Sequence, residues 1–161
     1  MLEVNSPIGN IFLDKEFDEI KNKNFERLKI SRMELEKRIL RRKTDRGTDV
    51  GLNLEPGIKL RHGDIIKNGD VKIIVEQLPE KIMTIRLKNK EMVDVMTLAG
   101  HIIGNRHRPI SIQGNEISFP IQADSEKEVF VKLFQSIINH IDMTVEERIF
   151  SPQSGADVHE H

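Results

Sequence analysis

Apolar residues recur along this chain with two different periods, and the change of period divides it. In the first half the runs are short. Residues 8–13 and 25–30 are apolar-rich and separated by charged and Asn-rich stretches. Over 32–39 polar and apolar residues roughly alternate, as in a half-buried strand. Strand candidates at 58–60, 64–67 and 71–77 follow, punctuated by Pro56-Gly57, Gly63-Asp64 and Asn68-Gly69-Asp70. These dipeptides are turn signals. Many short strands with frequent turns predict a small barrel or sandwich.

The pattern changes near Leu78-Pro79. Alternation over 82–87 puts Met83, Ile85 and Leu87 on one face. Met92, Val95, Met96, Ala99, Ile102 and Ile103 then fall at helical spacing, with Gly104 placed as the helix stop. Strands are expected at 109–112 and 117–121 around Gly114-Asn115. Ser125 and Glu128 have the spacing of a capping box. Phe130, Leu133, Phe134, Ile137, Ile138 and Ile141 predict a second helix over 126–141, and 143–150 a last strand. The order β-α-β-β-α-β is that of a ferredoxin-like domain. The expected fold class is α+β. A small all-β domain (1–77) precedes a ferredoxin-like domain (78–150) and a mobile, polar tail (151–161).

Composition removes several functions. The chain has 161 residues and no cysteine, so disulfides and thiolate metal sites are excluded. Its net charge of −1 gives no general attraction to nucleic acid, and the absence of Trp and Tyr leaves little for base stacking. No apolar run is long enough to span a membrane, and no signal-peptide pattern opens the chain, so a cytoplasmic location is expected. There is no Gly-rich phosphate loop, no Gly-x-Ser-x-Gly elbow and no His-Glu-x-x-His, and no enzymatic activity is expected.

The remaining chemistry is imidazole. His107 stands in Gly104-Asn105-Arg106-His107-Arg108-Pro109, and the chain closes on His159-Glu160-His161. Imidazole suits nickel, copper and zinc. His62, before Gly63-Asp64, is read as a structural turn residue. His140 is read as structural too, on the flank of the second helix near its C-terminus. Lys37, Arg38, Arg41, Arg42, Lys43 and Arg46 form a basic run, read as a solvated face or as a docking surface for an acidic protein partner.

Three pieces of sequence resemble the UreE family of urease accessory proteins, which are nickel metallochaperones. They are Arg42-Lys43-Thr44-Asp45-Arg46-Gly47 with Gly51 and Leu54, then Leu60-Arg61-His62-Gly63-Asp64, then Ile103-Gly104-Asn105-Arg106-His107. The resemblance implies a homodimer formed through the C-terminal domains. It implies Ni2+ held between protomers by His107, with His159 and His161 adding ligands, and delivery to the urease apoprotein complex with the urease accessory GTPase. Zn2+ or Cu2+ are expected to bind in vitro. Some members carry a second histidine just before the motif, where this chain has Ile102. His101 is one position off and half a turn from the apolar stripe, so no ligand role is transferred to it. One imidazole holds a divalent ion poorly, whereas two copies of one loop on a two-fold axis supply two. The main rival reading is a metal-independent adaptor in an assembly complex. An RNA-binding module is a third reading, and it lacks sheet-face aromatics.

Overall fold

A computed structural model describes residues 1–22 and 24–153, with 19–22 described through their backbone. Two compact units divide at Leu78/Pro79. Among the described residues no helix is long and apolar enough to cross a membrane.

The first unit contains β1 (Leu2–Val4), β2 (Gly9–Asn10), a 3₁₀ segment (Lys15–Asn22) and β3 (Glu26–Ile30). Helix α1 (Arg32–Leu35), β4 (Ile39–Lys43), β5 (Asp49–Asn53), β6 (Asp64–Asn68) and β7 (Lys72–Gln77) follow. They form two sheets, ordered β1-β5-β4 and β2-β6-β7-β3. Val4, Leu40, Val50 and Leu52 of the first share one core with Leu28, Ile30, Ile73 and Val75 of the second. The unit is therefore a two-sheet sandwich. Alternation explains the inward set in β3, where Glu26, Leu28 and Ile30 are buried and Arg27 and Lys29 are not. Buried Glu26 is an apparent anomaly, and its Oε1 accepts from Thr44 Oγ1 at 2.7 Å and Thr48 Oγ1 at 2.6 Å. This pins the β4–β5 turn to β3 and accounts for the threonine in the Thr44-Asp45-Arg46-Gly47 piece.

The strand expected over 32–39 is wrong in all but its last residue, Ile39, where β4 begins. Ser31 Oγ accepts from the Glu34 N–H and Glu34 Oε2 accepts from the Ser31 N–H, both at 3.2 Å, so a reciprocal cap starts α1 there. The expected strand at 58–60 is a loop, although Leu60 is buried. The strands β1, β4 and β5 were not anticipated.

The second unit is β8 (Glu80–Leu87), α2 (Val93–Asn105), β9 (Ser111–Gln113), β10 (Glu116–Pro120), α3 (Glu126–Leu133) and β11 (Ile141–Arg148). Its antiparallel sheet runs β11-β8-β10-β9. One core joins Met83, Ile85 and Leu87 of β8 to Val95, Ala99 and Ile103 of α2 and Phe130 of α3. Both helices therefore cover one face, as the ferredoxin-like order requires. Phe119 and Phe130 tilt against each other with centroids 4.7 Å apart, a geometry aromatic pairs favour.

Three expectations fail here. The second helix does not reach residue 141. Its last i→i+4 bond is Phe134 N–H to Phe130 O (2.8 Å), and tighter bonds follow, such as Ile137 N–H to Phe134 O (2.8 Å). Ile141 then pairs with Leu87 in β11. Ile137 and Ile141 stay buried in the same core, so their apolar spacing looked helical. Ser125 makes no side-chain cap, because its own backbone is already helical. Gly104 does not stop α2, which runs on to Asn105.

Candidate metal centre

The end of α2 positions His107. Val95, Ala99 and Ile103, four apart, hold the helix on the sheet. Arg106 closes it with its N–H to Ile103 O at 3.0 Å, and the His107 N–H donates to Gly104 O at 3.0 Å. At that point φ of His107 is +54°, and His107 is the one non-glycine residue with positive φ among the described residues. It occupies the left-handed position after a helix that glycine usually takes. Such a conformation costs a residue with a Cβ on the order of 1 kcal/mol.

The chain beyond is tied down at once. Arg108 Nη1 donates to Pro120 O at 3.2 Å, and its Nη2 to Glu126 Oε1 at 2.7 Å. Glu126 Oε2 also accepts from the Gln122 N–H at 2.8 Å. Desolvation raises the Glu126 carboxyl, but the Arg108 guanidinium and the Gln122 N–H outweigh it and hold the pKa below its ordinary value. Glu126, which the sequence placed only as the first residue of the second helix, is thus the anchor of the histidine turn. The sequence signal for this is slight, an acid 18 residues after an arginine.

His107 is exposed, and among the described residues nothing hydrogen-bonds to its ring. His101 is exposed on α2, with its Nε2 3.2 Å from Asn105 Nδ2. No three His, Cys, Asp or Glu side chains cluster to hold a metal among the described residues. His159 and His161 lie outside the described residues.

The other histidines have structural surroundings. His62 Nδ1 accepts from the Gln77 N–H at 3.0 Å, and its ring stacks on Phe12 at 5.3 Å. Its carbonyl accepts from Asn10 Nδ2 at 3.0 Å. Beside it, burial pushes the Asp64 carboxyl above its ordinary value, against the Asn10 amide (2.9 Å) and the Arg61 N–H (2.7 Å). His140 is not on a helix flank. It ends the 3₁₀ turn Ile138–His140, and its carbonyl accepts from the Lys88 N–H at 3.0 Å.

The basic run is largely engaged within its own unit. Arg41 forks onto Asp49 (3.0 and 2.6 Å), Arg42 bonds Glu34, Arg46 bonds Asn24, and Arg38 Nε donates to Leu54 O at 3.0 Å. The Arg42 contact holds the Glu34 carboxyl below its ordinary value.

Residues 5–77 match the family model described as the UreE urease accessory protein, N-terminal domain, and residues 80–161 match its C-terminal domain. A urease accessory protein UreE of Staphylococcus epidermidis is 34% identical over 147 residues, covering 90% of this chain and 91% of the relative. One from Staphylococcus saprophyticus is 33% identical, covering 86% and 88%. One from Flavobacterium johnsoniae is 31% identical, covering 87% of each.

Proposed function

This chain belongs to the UreE family of urease accessory proteins, and on that premise we propose that it is a nickel metallochaperone for urease maturation. It works as a homodimer and holds one Ni2+ between protomers through His107 of each. His159 and His161 of the tail assist. It binds and hands over its cargo and makes no covalent change. Its partners are the urease accessory GTPase and the urease apoprotein complex, met through the first unit.

The observation that carries this reading is the free imidazole of His107 on a left-handed backbone. Strain of this kind persists where the surroundings over-determine it, and it is found at ligand sites. Two such turns meeting on a two-fold axis present two imidazoles to one ion. The outward side of α2 supports such an approach. A Cβ built on Gly100 or Gly104 would meet nothing within 4 Å, and Val93 is 68% exposed. The neutral rings bind a borderline ion, and an exposed site lets a receiving protein compete for it.

Calorimetric titration with nickel tests the proposal, beside sedimentation of the same samples. The parent chain is expected to bind one ion per dimer, and His107→Ala none at that site while remaining dimeric. A parent chain that binds no nickel would leave the adaptor reading in its place.

A further inference from the structure

Arg148, the last residue of β11, lies at one edge of the four-stranded sheet, and β9 forms the other. Five residues later the chain has reached that other edge. The Gln153 N–H donates to Ile110 O at 2.6 Å, and Gln153 Oε1 accepts from the Ile112 N–H of β9 at 3.3 Å. Three strand spacings make about 14 Å, and five residues at full extension span about 17 Å. The crossing is therefore nearly straight. It starts on the helix-free face, where Arg148 Nη2 donates to Ser118 Oγ at 2.7 Å. Ser118 lies between Ile117 and Phe119, whose side chains belong to the helix-side core. Phe150, midway, is 2% exposed and stands outside that core.

Ile110 follows His107 by three residues, at most about 11 Å of chain. His159 and His161 come six and eight residues after Gln153, with reaches of about 20 and 26 Å. A tail that began at the β11 edge would start a whole sheet width further away. We infer that residues 149–153 are a strap that fixes on the β9 edge the point from which the tail departs, so that the chain length to His159 and His161 suffices to reach the His107 turn. Gln153 is a positioning residue in this device. The relevance of the strap to nickel rests on the proposed function; the strap itself rests on the Gln153 hydrogen bonds. The strap also occupies N–H and C=O groups of a sheet edge that would otherwise invite another strand.

The test uses the full chain. With no native cysteine, a single Val158→Cys takes one nitroxide label. In the metal-free protein the label should broaden the amide signals of 106–112. Gln153→Pro removes the N–H and the side-chain acceptor together, and the broadening should weaken. Nickel should then dissociate about twofold faster, because the tether to His159 lengthens from six residues, counted from Gln153, to nine, counted from Phe150. Broadening that is absent from both proteins, or equal in both, overturns the strap. Broadening lost with nickel release unchanged supports the strap and removes the tail from the metal site, a failure of the functional reading alone.

Discussion

His62 and His107 both stand in short turns near a glycine, and the two turns distribute strain in opposite ways. In the first, Gly63 takes the left-handed conformation (φ +87°), and a Cβ there would lie 2.4 Å from Phe12 Cδ2. The histidine beside it is half-buried, stacked and hydrogen-bonded. In the second, Gly104 is an ordinary helical residue in open space, and the histidine itself takes the left-handed conformation and faces solvent. The first turn is built for stability. The second gives up stability to hold a free imidazole in a fixed place.

The largest test of that contrast is at residue 107. His107→Ala is expected to weaken the main nickel site at least about 100-fold, beyond what loss of an outer partner does. His107→Gly should lose nickel equally, yet raise the unfolding free energy by about 1 kcal/mol, because glycine accepts φ > 0 without a Cβ penalty. Titration and denaturant unfolding read the two effects separately. A glycine variant less stable than the parent would show that the turn carries no strain.

A pH series counts the imidazoles. Protons compete with nickel for imidazole, so in the acidic limit affinity should fall about 100-fold per pH unit if two rings bind and about tenfold if one does. A chain ending at Gln153 keeps the tail histidines out of the count. Loss of the turn does not confound it. The Glu126 carboxyl titrates below its ordinary value when folded. The Arg108 anchor is therefore fully present above the unfolded carboxyl's pKa and is lost only as pH falls through the lower folded one. The amide signal of Gln122, whose N–H the Glu126 carboxylate accepts, should hold still between pH 7 and 5.5 while nickel is lost. A tenfold slope would sink the shared site.

Gly63→Ala is the matching test of the first turn. The wrong-handed backbone and the contact with Phe12 together should cost about 2 kcal/mol in unfolding experiments, with nickel affinity unchanged. Weakened nickel binding in a fully folded Gly63→Ala protein would mean that the two turns are not independent.

What the sequence revealed follows the same division. Periodicity located β8, α2 and the core of the second unit, because Met83, Ile85 and Leu87 obey one period and Val95, Ala99 and Ile103 the other. It overran α3, because a chain of 3₁₀ turns kept Ile137 and Ile141 on the core side. It missed the cap at Ser31 and assigned one to Ser125, since the same spacing forms a cap only where the serine backbone stays extended. His107 was legible as a motif residue. Its φ, its Arg108–Glu126 anchor and the Gln153 clamp were not, because each joins residues that only the folded chain brings together.

The smallest expected effect belongs to that anchor. Arg108 and Glu126 are 21% and 23% exposed, so their pairing contributes at most about 1 kcal/mol. Glu126→Gln removes the charge and leaves one amide oxygen where two carboxylate oxygens had served Arg108 and the Gln122 N–H, so one of the two bonds is lost. Unfolding free energy should drop by about 0.5 kcal/mol. Since Arg108 acts on His107 only through the backbone between them, part of that loss reaches the turn. Nickel affinity should fall about twofold. A structural role elsewhere in α3 would lower stability and leave the metal untouched, so the affinity is the informative measurement. Glu126→Asp, which keeps the charge but shortens the reach, should act on affinity in the same direction. If both variants bind nickel like the parent, the turn is held by the helix end alone, and the Arg108–Glu126 pair serves only the packing of α3.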